Sequence, residues 1–400
     1  MKVFFMCTHP NQGTGYARVA NKITNYLADI PGVEVVYYAF QNYPGQDIKD
    51  RFIDPRIKFY DALELDAESP KGFGDNGIVP TIIEEKPDVL FLYNDLPVTS
   101  LILEKIPEEH MPAQKYVYLD IVYPWENLNY YEMLRKHNLD KIWVFLNCWK
   151  THLVEELGFS SDKVEVLPHG VDFERFVDLP KNETKVKSGF EEDDYIVVNM
   201  NRNSYRKQWC TTVKAFLDFL NERDMDPKIK MYCGCMTKTD DGYDLSLLIA
   251  TECIRRGMNP DTVLNNHIFI NPKPLHLSDE EVNVIYNMGD VGINTCCGEG
   301  FGLTTMEHAY FNRPQIVSGV PALKETLGEV AYVIEPKLWT TVSSFESHSG
   351  DIAHFDSKDF TKCLHECFEK RGESLDTRSH VKNNYTWENV YKVLETYFKK

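Results

Sequence analysis

Four hundred residues exceed what one hydrophobic core usually holds, so two domains are expected. With 43% hydrophobic and 26% charged residues, the composition is that of a soluble globular chain. The formal net charge of −18 excludes a general binder of nucleic acid or anionic membranes, since either needs a basic face.

Ten cysteines with no Cys-x-x-Cys pair read as reduced thiols, and no apolar run reaches the roughly eighteen residues a membrane span needs. The expected compartment is the cytoplasm. No transmembrane segment is expected, and peripheral membrane association is not indicated. Cys363, His365 and Cys367 lie in an amphipathic helical pattern, and Asp224-Met225-Asp226 follows a helix as a polar turn, so no metal site is expected.

In chain order, residues 2–7 form an apolar run of the kind a buried parallel strand needs, and Gly13-Thr14-Gly15-Tyr16 then leads into an amphipathic helix ending near Leu27. This is a phosphate-type turn between strand and helix. Arg18 stands where a dinucleotide fingerprint has its third glycine. Strand-like runs follow at 34–40, 89–93, 115–121 and 141–146, mostly with helical segments between them, which predicts a parallel sheet covered on both faces. Ligands bind at the carboxyl ends of such strands, so Asn94, Asp95, Asp120 and Asn147 are candidates. Tyr123-Pro124-Trp125, with Tyr130 and Tyr131, suits either a stacking floor for an acceptor sugar or plain core packing.

Residues 163–176, KVEVLPHGVDFERF, read as a strand stopped by Pro168 and a turn at Gly170, and the charged stretch 178–194 has linker composition. A second α/β series begins at Tyr195, where a strand delivers Asn201, Arg202, Arg206 and Lys207 ahead of a helix at 209–220. Basic residues at a strand's carboxyl end are rarely needed for packing, although surface charges capping the turn are the alternative. Strands at 230–233 and 267–270 and a helix at 279–288 continue the alternation.

The densest stretch is 298–314, GEGFGLTTMEHAYFNRP, preceded by the short strand 291–294. Gly298, Gly300 and Gly302 let backbone approach a ligand closely, and a helix starting near Leu303 or Thr304 aims unpaired N–H groups at an anion. Glu299 falls in the loop and Glu307, eight positions on, in the first turn. Carboxylates beside an anion site suit a ligand that carries both phosphate and sugar. The alternative is a solvated loop whose glutamates favour a helix N-terminus.

The run E-G-F-G-L-x-x-x-E, followed by R-P-Q-I-V-S, resembles the Glu-x7-Glu signature of retaining glycosyltransferases of family four. The chain has Asn312-Arg313-Pro314 where that family usually has Gly-x-Pro, and E-H-A-Y where it has E-A-M-A. Residues 163–176 resemble the family's V-I-P-x-G-V-D-x-x-x-F hinge. The resemblance implies a GT-B architecture of two facing Rossmann-like domains: 1–177 for the acceptor, a linker at 178–194, 195–384 for the donor, and a closing helix at 385–400 that returns to the first domain.

It also implies roles. Gly13 and Gly15 would close over the donor diphosphate. Asn201, Arg202 and Lys207, with the loop Gly300, Phe301, Gly302 and Leu303, would hold that diphosphate. Glu299 would bind the transferred sugar and Glu307 the ribose. Asp120 stands where the family often has a sugar-contacting histidine, so it binds a sugar hydroxyl or merely caps its strand. Glu325 lies where the family often carries a further acidic residue. Catalysis would rest on Glu299, Arg202, Lys207 and Asp120, and Tyr123 and Trp125 would meet the acceptor.

The implied reaction moves a hexose, without a cofactor or metal, from a nucleotide sugar to a hydroxyl of a glycan or glycoconjugate. The piece Asp241-Gly242-Tyr243-Asp244-Leu245 echoes members that use GDP-mannose, with a UDP-hexose as the alternative donor. A sugar-nucleotide epimerase on the same fold and a non-catalytic nucleotide-sugar-binding module are the remaining alternatives.

Overall fold

The computed structural model describes residues 1–43, 51–272, 277–344, 348–373 and 375–399. They form two compact units. The first comprises the described residues of Met1–Gly170, Ser343–Gly350 and Trp387–Lys400, and the second those of Val171–Val342 and Asp351–Thr386.

In the first unit β1 (Lys2–Thr8), β2 (Glu34–Phe40), β3 (Lys58–Asp61), β4 (Val89–Asp95), β5 (Gln114–Asp120), β6 (Lys141–Val144) and β7 (Val164–Val166) form one parallel sheet in the order β3-β2-β1-β4-β5-β6-β7. KVFFMCT in β1 is apolar almost throughout because helices cover both faces of such a sheet, and Val3 to Cys7 have no exposed surface. The helix Gly15–Asp29 starts where the Thr14 hydroxyl accepts from the Ala17 N–H at 3.2 Å, and it buries Ala17, Val19, Ala20, Ile23 and Leu27.

The helix Trp387–Phe398 belongs to this unit. Phe398 lies 6.0 Å from Phe91 and 5.8 Å from Tyr116 between ring centroids, and Tyr391 stacks on Tyr26 at 3.7 Å. Gly170 sits directly beneath Trp387, where an added Cβ would lie 2.6 Å from the indole ring.

The second unit repeats the plan with β8 (Tyr195–Asn199), β9 (Ile229–Cys233), β10 (Ile268–Ile270), β11 (Val291–Asn294), β12 (Gln315–Ser318) and β13 (Tyr332–Ile334), in the order β10-β9-β8-β11-β12-β13. Strands β14 (Leu338–Val342) and β15 (Gly350–His354) form a separate pair. In each large sheet the strand order reverses beside the first strand, between β1 and β4 and between β8 and β11. Loops leaving the carboxyl ends at such a switch point are where open α/β sheets bind ligands.

Three expectations about boundaries change. The chain leaves the first unit at Gly170, earlier than 177. Residues beyond it are held to the second unit by Asn283 and Asn287, whose side-chain oxygens accept from the N–H groups of Val177 and Leu179 at 3.0 and 2.8 Å. The stretch 178–194 is not a plain linker. It contains the helix Lys181–Lys187, two of whose lysines, Lys181 and Lys185, converge on Asp290, which also accepts from the Ile196 N–H at 2.9 Å. Charge that reads as solvated is therefore an internal network. The described residues of Ser343–Gly350 belong to the first unit, for which the sequence carries no signal.

Candidate functional site

In the second unit, β8 ends at Asn199, whose side-chain oxygen accepts from both the backbone and the side-chain N–H of Asn201 at 3.0 and 2.8 Å. This turns the chain sharply into the short 3-10 turn Tyr205–Lys207 and the helix Trp209–Asn221. Trp209 donates to the Arg202 carbonyl at 3.1 Å and pins the loop. Across the switch point, β11 leads through Thr295, whose hydroxyl donates to the Lys207 and Gln208 carbonyls at 3.1 and 3.0 Å, into the glycine-rich loop.

These two loops bring together three charges. The Lys207 ammonium donates to Glu299 Oε2, and Arg206 lies 3.6 Å from Glu299 Oε1 while donating to the Gly298 carbonyl at 3.0 Å. Lys207 and Glu299 are both buried. Burial opposes ionisation of Glu299, and Lys207 and Arg206 outweigh it, so the carboxyl is held below its ordinary range.

The loop then turns at Gly302, at φ +97°, into the helix Leu303–Ala309. An added Cβ there would lie 2.6 Å from the Cδ2 end of the flexible Leu323 side chain, so the position requires glycine chiefly for its backbone. Gly300 and Phe301 are buried, and Phe301 packs edge-on against Tyr385 at 5.4 Å. Leu303 is half-buried. Glu307, also buried, accepts from the Tyr286 hydroxyl at 2.9 Å and from Arg175.

Among the expected residues, Lys207 and Glu299 meet directly, and Asn201 shapes their loop. Arg202 does not join them: its side chain is 65% exposed and lies 3.4 Å from Asp241. The cation that joins Lys207 at Glu299 is Arg206. Spacing alone could not choose between two arginines four residues apart on one loop. Arg175 was also missed as a site residue, because its partner lies 132 positions away.

In the first unit Gly13 and Gly15 are exposed around the Thr14 cap. Asp120 ends β5 opposite Asp95 of β4, and the Tyr16 hydroxyl donates to it at 2.6 Å. Burial, then Asp120, pushes the Tyr16 phenol well above its usual range, so it remains a donor. Asp95 caps the next helix by accepting from the Val98 N–H at 2.9 Å, and Asn94 is buried. Asn147 opens a helix rather than ending a strand.

Tyr123 is fully buried, so it packs the core and offers no face to a sugar. Trp125 is 41% exposed at φ +54°, its N–H donating to His152 at 3.2 Å. His348, unnoticed in the sequence, lies 3.4 Å from Glu126 and 3.8 Å from Asp95.

Another candidate has structural employment. Asp224 and Met225 form a left-handed turn. Among the described residues no group of three His, Cys, Asp or Glu is placed to hold a metal, and all ten cysteines are free. No helix of the described residues is long and apolar enough to cross a membrane. A hollow of about 710 Å³ opens at the amino ends of β9 and β10, lined by Lys230, Asn259 and His267 among others. It lies at the strand ends opposite those that carry Lys207 and Glu299.

No protein-family model matches this chain, and no curated protein matches it. Solved structures do. Sucrose-phosphate synthase from Thermosynechococcus elongatus is similar with a TM-score of 0.72 at 13% identity, over 99% of this chain and 98% of that one. "Trehalose-6-phosphate from E. coli bound with UDP-2-fluoro glucose" gives 0.70 at 13%, over 100% and 99%. A glycosyltransferase from Rickettsia africae gives 0.67 at 17%, over 99% and 97%. At these identities the likeness is one of fold. Together with the two switch-point sheets it defines a GT-B protein built of two Rossmann-like α/β domains.

Proposed function

We propose that this chain is a retaining glycosyltransferase that moves a hexose from a nucleoside diphosphate sugar to an acceptor hydroxyl of a glycan or glycoconjugate. The observation that carries the reading is the group of buried Lys207 and Glu299 with half-buried Arg206 at the switch point, with Glu307 one turn inside the helix that follows. Two cations at the carboxyl ends of strands stabilise the charge that develops on a departing diphosphate, and a carboxylate between them is positioned to accept from sugar hydroxyls. Cationic side chains supply what a metal otherwise would, so the reaction is expected to run without one. Retention would follow a front-face route in which the leaving phosphate takes the acceptor proton, without a covalent intermediate.

A UDP-hexose is the better-supported donor. The segment that echoed GDP-mannose enzymes has a packing explanation: an added Cβ on Gly242 would lie 2.4 Å from the Asn203 carbonyl, Asn203 donates to the Tyr243 carbonyl at 2.7 Å, and Asp244 caps the helix Leu245–Arg255. One similar structure is described as bound with UDP-2-fluoro glucose. The acceptor is assigned to the first unit, where Asp120, Tyr16 and Trp125 lie at or beyond the carboxyl end of β5.

Purified protein incubated with UDP-glucose or GDP-mannose tests the reading through nucleotide release with and without EDTA, followed by an acceptor screen. Transfer to an acceptor with retained anomeric configuration supports it and excludes an epimerase. Binding without donor turnover or transfer would favour the sensing module, and tighter binding of GDP than UDP would reverse the donor assignment.

A further inference from the structure

The two stretches that sequence analysis singled out separately, 163–176 and 298–314, are joined by one side chain. Arg175 extends from the short 3-10 turn Phe173–Arg175, and its guanidinium donates to Glu307 with one arm and to Asp279 with the other. The guanidinium also lies over the Phe176 ring at 4.5 Å. Asp279 is the first residue of the helix Asp279–Met288, whose N-terminus is locked by a capping box between Ser278 and Glu281. The fork is thus fixed by a rigid helix end, an aromatic face and the carboxylate itself.

Glu307 is held at both oxygens, Oε1 by Arg175 and Oε2 by the Tyr286 hydroxyl at 2.9 Å. Two donors on opposite oxygens fix the plane of a carboxylate, which one donor does not. The side chains of Glu307 and Arg175 are only 4% and 8% exposed. Removing one partner of so buried an ion pair leaves the other without its compensating contact, and the side chain is free to turn.

We propose that Arg175 is a positioning residue for nucleotide recognition: it holds the Glu307 carboxylate oriented toward the ribose hydroxyls of the donor. The proposal rests on the transferase reading above, in which Glu307 accepts from the ribose. Arg175 acts through Glu307, so its loss removes the preference for an intact ribose and leaves the grip on the diphosphate, which belongs to Lys207 and Arg206.

The test is the ratio of dissociation constants for 2′-deoxy-UDP and UDP, measured by calorimetry on the full chain, with 2′-deoxy-GDP and GDP run alongside. Wild type is expected to prefer the ribonucleotide by roughly 10-fold or more, the size of a hydrogen bond to a charged group. Arg175→Gln is expected to bring the ratio near one. A merely structural role would weaken both nucleotides by the same factor and keep the ratio. If Arg175→Gln does not fold, Arg175→Lys, which keeps the charge and loses the two-armed fork, is expected to lose most of the preference.

A wild type that discriminates beside a folded variant that discriminates equally overturns the positioning role and leaves the proposed function standing. Equal binding of both nucleotides by wild type overturns the proposal together with the ribose role of Glu307, while transfer activity is judged separately by the acceptor screen. No binding of either diphosphate by wild type overturns the transferase reading and this proposal with it.

Discussion

Lys207 and Glu299, 92 positions apart in sequence, meet as a buried ion pair at the switch point of the second sheet, and Arg206 lies 3.6 Å from the other oxygen of the same carboxylate. The carboxylate already engages the cations that a diphosphate would need. Considered as a ligand of the transferred hexose alone, Glu299 has no reason to influence a free nucleoside diphosphate, which lacks that hexose. The ion pair gives it one.

Glu299→Gln is therefore expected to lower turnover by roughly 10² or more and yet tighten binding of the free nucleoside diphosphate, by about 1 kcal/mol. Calorimetric titration of UDP into wild type and variant checks this. Unchanged or weaker binding would show that Glu299 does not compete for Lys207 and Arg206.

The three cations of the β8 loop should differ in importance. Lys207→Ala should cost roughly 10² or more in turnover, and Arg206→Ala more than Arg202→Ala, because Arg202 is exposed and its pairing with Asp241 is of the kind that contributes about 0–1 kcal/mol. Steady-state kinetics on the three variants read out the order. A larger loss in Arg202→Ala than in Arg206→Ala would restore the pairing of Arg202 with Lys207 expected from sequence spacing.

His308 is buried against Tyr286, their rings 5.4 Å apart, and burial followed by Arg313 and Lys181 pushes its imidazole down to about 3. Since the folded value lies below the ordinary 6.5, the unfolded chain takes up the proton first as pH falls. The neutral histidine's contribution is complete above pH 6.5 and is lost as pH drops toward 3. Each such group costs about 1.4 kcal/mol per pH unit within that window. Urea unfolding at pH 7 and 5.5 should show a smaller acid loss in His308→Gln than in wild type, and equal losses would contradict it.

Gly302→Ala should destabilise the second unit by about 1–3 kcal/mol, because alanine is strained at φ +97° and its Cβ meets Leu323. Adding Leu323→Ala removes the clash and not the backbone strain. A double variant less stable than Leu323→Ala alone is the expected result in thermal melts, whereas equal stability would place the whole cost in the clash.

The alternation of strands and helices was legible because parallel strands buried on both faces must be apolar runs, as in β1 and β4, and because the helices between them are strongly periodic. Strand β3 and the pair β14–β15 escaped because KFYD is short and LWTTV is largely exposed, so neither carries a buried pattern. At the site, glycines and carboxylates within one loop could be read from their spacing. Arg175 with Glu307, and His348 with Asp95 and Glu126, could not, since those neighbours are made by topology alone. The lysines of 181–187 misled in the opposite direction. Their composition is that of a solvated linker, and only the fold reveals Asp290 as the common partner of Lys181 and Lys185.

The return of the helix Trp387–Phe398 to the first unit has a consequence for biosynthesis. The seven strands of that unit lie before residue 171, but the helix that covers Phe91, Tyr116 and Trp143 is made only after the second unit. Domains usually fold as units in the order they leave the ribosome. Here the nascent first sheet must wait, with part of its aromatic face uncovered, until the entire second unit has been synthesised. This face stays uncovered for the time the ribosome spends on residues 171–386, so slowing elongation there lengthens the exposure.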